Sequence, residues 1–135
     1  MTTIIQVFRT IIAGSRSLSP SVDDVERALL VMGVSPSVVL SGMAHGADRA
    51  GERWAAQRGV LVERYPPDWH RLGKRAGFVH NEEMARNAGA LLAFWDGDSR
   101  GTRHMVECAR RLALRVAVMR FLGGRWVLEA ERTEM

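Results

Sequence analysis

Cysteine is nearly missing from this chain of 135 residues: Cys108 stands alone. One cysteine excludes an internal disulfide and a zinc site built on paired thiolates. Lysine is as scarce. Of 19 basic residues only Lys74 is lysine, and the rest are arginine. No apolar run approaches the roughly 18 residues of a membrane span, so a membrane is not an expected partner. Residues 1–6 lack the basic start and small-residue cleavage site of a secretory signal, and the expected location is cytoplasmic. Repeats, low-complexity stretches and linkers are also missing. Neither a glycine-x-x-x-x-glycine-lysine loop nor the dinucleotide fingerprint occurs. The four histidines, His45, His70, His80 and His104, show no metal-ligand spacing.

What is present suits one folded domain spanning residues 1–135. The hydrophobic fraction is 47% and the charged fraction 25%, ordinary for a globular chain. A domain of this length buries roughly two thirds of its unfolded surface. The net charge is +4, with 15 acidic residues set among the basic ones, as in Asp23-Asp24-Val25-Glu26-Arg27. Two readings stand: a solvated arginine-rich surface, or an anionic partner. That partner would be a nucleotide, or less readily a polynucleotide strand.

Periodicity predicts alternating strands and helices. Residues 3–13 read as one long strand or two short ones. Val22, Val25, Ala28, Leu29 and Met32 give a helix opened by Ser19-Pro20-Ser21 and ended by Gly33. A short strand follows over 37–40, a helix over 46–58 and a strand over 60–65. Residues 68–77 read as a polar loop, and 81–87 as a helix. Residues 88–95 are apolar almost throughout, as in a strand buried on both faces. A turn over 96–101, a helix over 102–112, a strand over 114–121 and a short last strand over 125–129 complete the pattern, with a loose tail over 132–135. The fold class is α/β: a Rossmann-like three-layer sandwich, its mostly parallel sheet of about five strands flanked by helices, plus a short C-terminal strand. Crossovers should be right-handed, and ligands should bind beyond the carboxyl ends of the strands.

Three loops fall at that edge. They are Gly14-Ser15-Arg16, Ser41-Gly42-Met43-Ala44-His45-Gly46-Ala47-Asp48, and Gly97-Asp98-Ser99-Arg100-Gly101-Thr102. Each follows a strand and precedes a helix. Glycines let the backbone approach a ligand, and the helix N-terminus beyond offers free N–H groups and a positive dipole end. Ser41, Ser99 and Thr102 add hydroxyls, and Arg16 and Arg100 add charge. Asp48 reads equally as a helix-start carboxylate or a ligand contact.

These loops, with Glu52-Arg53-Trp54-Ala55, Pro66-Pro67-Asp68-Trp69, Gly73-Lys74-Arg75-Ala76-Gly77, residues 81–84 and Ala93-Phe94-Trp95-Asp96-Gly97, carry a resemblance over residues 10–119. The sequence resembles the SLOG superfamily, which includes the DNA-processing protein DprA and the LOG phosphoribohydrolases, and it looks most like the small YspA/YpsA-related branch. The resemblance implies a nucleotide or phosphoribose-containing ligand at the strand edge, with a sensing or carrier role. It also admits two alternatives: hydrolysis of a nucleotide's N-glycosidic bond, as in LOG enzymes, and single-stranded DNA binding, as in DprA. Lys74 and Asn81 match the family pattern; they either touch phosphate or hold their loop. A homodimer is expected, because an α/β sheet has edges to cover.

Departures from the pattern matter. Similar proteins carry arginine where this chain has His45 and His80, so ligand affinity is expected to weaken between pH 6 and 8. LOG-type enzymes place a glutamate three residues after their Gly-Thr, where this chain has Met105. The remaining acids that could serve catalysis are Asp48, Asp96, Asp98 and Glu107. Carboxylates beside a phosphate repel it; they fit better facing ribose hydroxyls or a bound Mg²⁺, although no metal is assigned. Trp69 either stacks on a base or anchors its loop, and Trp95, at the end of a buried-looking strand beside the third loop, reads either as a ligand contact or as packing. Trp54, Met84 and Cys108 read as core, and Trp126 as packing or interface.

Overall fold

The computed structural model describes residues 4–129. In chain order these are β1 (Gln6–Gly14), α1 (Val22–Met32), β2 (Val34–Ser41), α2 (Ala47–Arg58), β3 (Leu61–Arg64), α3 (Trp69–Leu72), α4 (Ala76–Arg86), β4 (Ala90–Phe94), α5 (Arg100–Arg111), β5 (Arg115–Leu122) and β6 (Arg125–Leu128). One sheet holds all six strands in the order β3-β2-β1-β4-β5-β6. Every pairing is parallel except that of β6 on β5. This is the expected three-layer α/β arrangement. Among the described residues no helix is long and apolar enough to cross a membrane.

Side-chain alternation along the central strands builds a core on each face of the sheet. Ile12, Val39, Leu92 and Phe94 point to the face covered by α1 and α2, where they meet Val25, Leu29 and Trp54. Ile11, Leu40, Leu91 and Val118 point to the other face, against Met84, Met105 and Cys108 of α4 and α5. All five residues of β4 are buried, which is why its sequence reads as an unbroken apolar run.

Helix ends follow local chemistry. Ser21 accepts the Asp24 N–H, and the Asp24 carboxylate accepts the Ser21 N–H, closing a capping box on α1. Gly33 and Gly59 end α1 and α2 in the left-handed conformation.

Three expectations are corrected. Residues 68–77 are not a loop: α3 is capped by Asp68, whose side chain accepts the Arg71 N–H, and a 3-10 turn over Gly73–Arg75 leads into α4. That helix therefore starts five residues before the expected 81. Phe78 and Val79 on its first turns are exposed, so they carry no core-facing period for the sequence to display. Strand β2 starts at Val34 rather than 37. Pro36 sits at a bulge where Phe8 pairs with Pro36 and Arg9 with Val38, a position that tolerates a missing N–H. Helix α5 begins at Arg100 rather than 102, because Ser99 caps it, its side chain accepting the Thr102 N–H. The expected tail over 132–135 lies outside the described residues.

Helix α2 crosses β1 very closely. A Cβ on Gly51 would stand 2.7 Å from both Cβ and Cγ2 of Ile12, a buried β-branched side chain with little freedom to turn. The substitution Gly51→Ala should therefore destabilise the fold by roughly 1–3 kcal/mol. Urea unfolding would show a lower midpoint at unchanged slope, and an unchanged midpoint would refute the close crossing.

Candidate functional site

The order β2-β1-β4 sets the carboxyl ends of three parallel strands side by side. This is the point where the chain's strand order reverses, and a crevice forms there in open α/β sheets. The β1 and β4 ends converge tightly: the Ser15 N–H donates to the Phe94 carbonyl at 2.9 Å. The Ser15 hydroxyl, itself buried, accepts the Asp96 N–H at 3.0 Å.

A cavity of about 580 Å³ opens at this edge. The three loops supply Gly14 and Arg16, then Gly42 and Asp48, then Ser99, Arg100, Gly101 and Thr102. Helices α3 and α4 and the turn between them close the far side with Trp69, Lys74, Phe78, His80 and Asn81. Trp69 is 53% exposed, so its indole face is open at the rim. The first turn of α5 presents Arg100 and Gly101 to the cavity, where backbone N–H groups have no acceptor within the helix.

Arg9, Arg58, Arg64, Arg71 and Arg120 pair with carboxylates. Arg16, Lys74 and Arg100 line the cavity, are exposed and, among the described residues, form no ion pair. Three unpaired cations on one concave surface favour an anion there.

Asp48 lies at the base of the cavity, in the first turn of α2 and only 5% exposed. Its Oδ2 accepts the Ala44 N–H at 3.1 Å, and the nearby Gly14 backbone also favours its charged form. Burial outweighs these bonds and pushes the carboxyl up to about 6. Both sequence readings of Asp48 describe it: it opens a helix and it faces the cavity. Next to it, a Cβ on Gly42 would stand 2.7 Å from the His80 ring and 3.0 Å from Asp48 Oδ2. Position 42 therefore has no room for a side chain without displacing one of them. His80 Nδ1 lies 3.0 Å from the Tyr65 carbonyl, and burial lowers its pKa below the usual value.

The other residues singled out from sequence stand elsewhere. Ser41 is fully buried and donates to Glu52 Oε2 at 2.7 Å, while its oxygen accepts the Met43 N–H. His45 is exposed and off the cavity. Gly46 caps α2 with a positive φ, its Cα packed against loop carbonyls. Trp95 donates its indole N–H to the Ser99 carbonyl, and its ring lies 5.5 Å from the guanidinium carbons of Arg103 and Arg120. Gly97 packs on Arg120. Asp96 uses Oδ1 to accept the Asp98 and Ser99 N–H groups, which holds the turn before α5 and lowers its pKa. Glu107 is exposed on α5 and does not line the cavity. Of the four acids weighed for catalysis, only Asp48 reaches it.

Sequence reasoning missed the apolar part of the lining: Met43, Pro66, Pro67, Phe78 and Met105. Met43 has φ of 66°, an uncommon conformation for a non-glycine residue. No local pattern announces it. Met105 lines the cavity at the position where the resemblance implies a glutamate.

Asp48 predicts a pH effect on stability. Its folded pKa of about 6 exceeds the ordinary 3.8, so its contribution is fully present below about pH 4 and is lost as pH rises through 6. The loss amounts to roughly 2–3 kcal/mol. Urea midpoints at pH 4.5 and pH 8 should show the native protein losing that stability and Asp48→Asn losing less. Parallel pH profiles for the two proteins would contradict a buried, proton-binding Asp48.

A model of the YspA, cpYpsA-related SLOG family matches residues 9–72, from β1 through α3. The Gene 61 protein of Mycobacterium phage D29 is 42% identical over 85 residues, covering 58% of this chain and 68% of that protein. No solved structure matches the chain. The matched span contains the first two of the three cavity loops and the Pro66-Pro67-Asp68-Trp69 stretch, and the chain belongs to the YspA, cpYpsA-related SLOG family.

Proposed function

We propose that the cavity binds a nucleotide or nucleotide-derived anion carrying phosphoribose. The observation that carries this reading is the convergence of three strand-end loops on one cavity whose cations, Arg16, Lys74 and Arg100, are unpaired. Phosphate fits the first turn of α5, where free N–H groups and the dipole add to Arg100. The base fits against Trp69, whose exposed ring offers a stacking face. Asp48 fits ribose hydroxyls, since a carboxylate beside phosphate would repel it. Family membership is compatible with such a ligand.

Binding is favoured over hydrolysis because Met105 occupies the position of the LOG-type glutamate. A second reading rests on Asp48 alone. A buried carboxyl pushed to about 6 is tuned for proton transfer near neutral pH, and would serve cleavage of the N-glycosidic bond. A sensing role follows from the first reading, turnover from the second.

The test is native mass spectrometry and thermal shift with nucleoside mono-, di- and triphosphates, with oligonucleotides as a separate arm. At least one nucleotide should raise the melting temperature. Arg16→Ala and Arg100→Ala should each weaken its affinity about tenfold or more, the usual worth of a charged hydrogen bond. No shift with any nucleotide overturns the proposal, and a response to oligonucleotides alone favours the DNA-binding alternative. Release of free base, abolished in Asp48→Asn, would establish the hydrolase.

The pH dependence of binding follows from the same groups. Asp48 gains negative charge as pH rises through about 6, and His80 loses positive charge below its ordinary value. Both changes weaken an anion's hold. Affinity should therefore fall across pH 5 to 7, lower than the window expected from two ordinary histidines. Titration calorimetry showing flat affinity there would remove both groups from the binding site.

A further inference from the structure

We propose that Glu82, His104 and Cys108 form a site for a zinc-class divalent cation, fastening α4 to α5. His104 and Cys108 lie one helical turn apart on α5, and Glu82 faces them from α4. Cys108 Sγ is 3.5 Å from His104 Nε2, and Glu82 Oε1 is 4.0 Å from the same nitrogen. The three donor atoms lie within 4.8 Å of one another. A tetrahedral zinc, with Zn–S of about 2.3 Å and Zn–N of about 2.0 Å, sets its sulfur and nitrogen about 3.5 Å apart. The sulfur and imidazole are thus already at bonding separation, and the Glu82 side chain, which is exposed, has to close in on them.

The chemistry of the donors selects the metal. One sulfur, one nitrogen and one oxygen suit zinc, and disfavour magnesium and calcium, which take oxygen. Thiolate and carboxylate together neutralise a dication. Three protein ligands leave one position open to water. Burial lowers the His104 pKa, which keeps the imidazole in the neutral form a metal binds. The same burial raises the Cys108 thiol, so the metal must displace its proton and binding strengthens as pH rises. Arg111 donates to Cys108 Sγ at 3.4 Å, which favours the thiolate and opposes the cation, while Glu107 adds negative charge nearby.

Behind the ring, the Asn81 amide lies 3.2 Å from His104 Nδ1. The atom facing it is the amide nitrogen, so accepting Nδ1–H, the usual arrangement behind a metal-bound histidine, requires the Asn81 amide to turn over and give up its bond to the Gly101 carbonyl. Asn81 now donates to the Gly101 carbonyl at 3.2 Å and lines the cavity, so the cation would bear on the cavity wall. The proposal does not depend on what the cavity binds.

The experiment uses the full chain after chelator treatment, titrated with Co²⁺ and then Zn²⁺. A single equivalent of Co²⁺ should give a thiolate-to-cobalt charge-transfer band and tetrahedral visible bands, both removed by zinc. Cys108→Ser should abolish the charge-transfer band. Glu82→Gln, at an exposed position that leaves the fold intact by circular dichroism, should weaken binding about tenfold or more. If Cys108→Ser fails to fold, Glu82→Gln and His104→Gln decide the matter. No charge-transfer band, or unchanged affinity in Glu82→Gln and His104→Gln, overturns the site.

Discussion

The close meeting of β1 and β4 at their carboxyl ends governs the rest of the molecule. A Cβ on Gly14 would fall 2.1 Å from the Phe94 carbonyl oxygen, a backbone atom that cannot step aside. Only a residue without a side chain lets the two strands stay paired to their last residues. Ser15 then extends the pairing past both strands through its own N–H and hydroxyl. The first and third loops are thereby joined before any ligand arrives. Organisation of this kind reduces the conformational entropy that binding would otherwise have to overcome.

Two carboxylates show how environment divides one chemistry into two behaviours. Glu63 accepts both Arg9 Nη groups and the Tyr65 hydroxyl, and these hydrogen bonds pull it down to about 2. It remains charged at any ordinary pH and stabilises the sheet's edge until pH falls towards that value. Asp48 has only backbone donors and lies under the cavity, so burial dominates and moves it the other way. One acid is committed to structure, while the other keeps a proton equilibrium within reach of neutrality.

The alternation of strands and helices was legible in the sequence because nearly every element buries an apolar face. Val25, Leu29 and Met32 reveal α1, and the run from Ala90 to Phe94 reveals β4. The cavity loops were legible for a different reason: glycine and small polar residues at strand ends mark backbone that approaches something. What was not legible lies where residues face the cavity or an exposed rim rather than the core. The start of α4 carries Gly77, Phe78, Val79 and His80 without a period, because that turn covers the cavity. Ser41 and Trp95 could not be assigned because their partners, Glu52 and the two arginines, are chosen by tertiary structure. The approach of Glu82 to His104 joins two helices that share no local pattern.

The scarcity of lysine acquires a practical meaning from where the one lysine lies. Lys74 is exposed on the cavity rim, and arginine carries all the other basic side chains. Amine-directed reagents, which pass over guanidinium groups, can therefore modify a single side chain in the whole chain. The molecule carries its own chemical tag at the mouth of the cavity, and the rate at which that amine is acylated reports whether the mouth is covered.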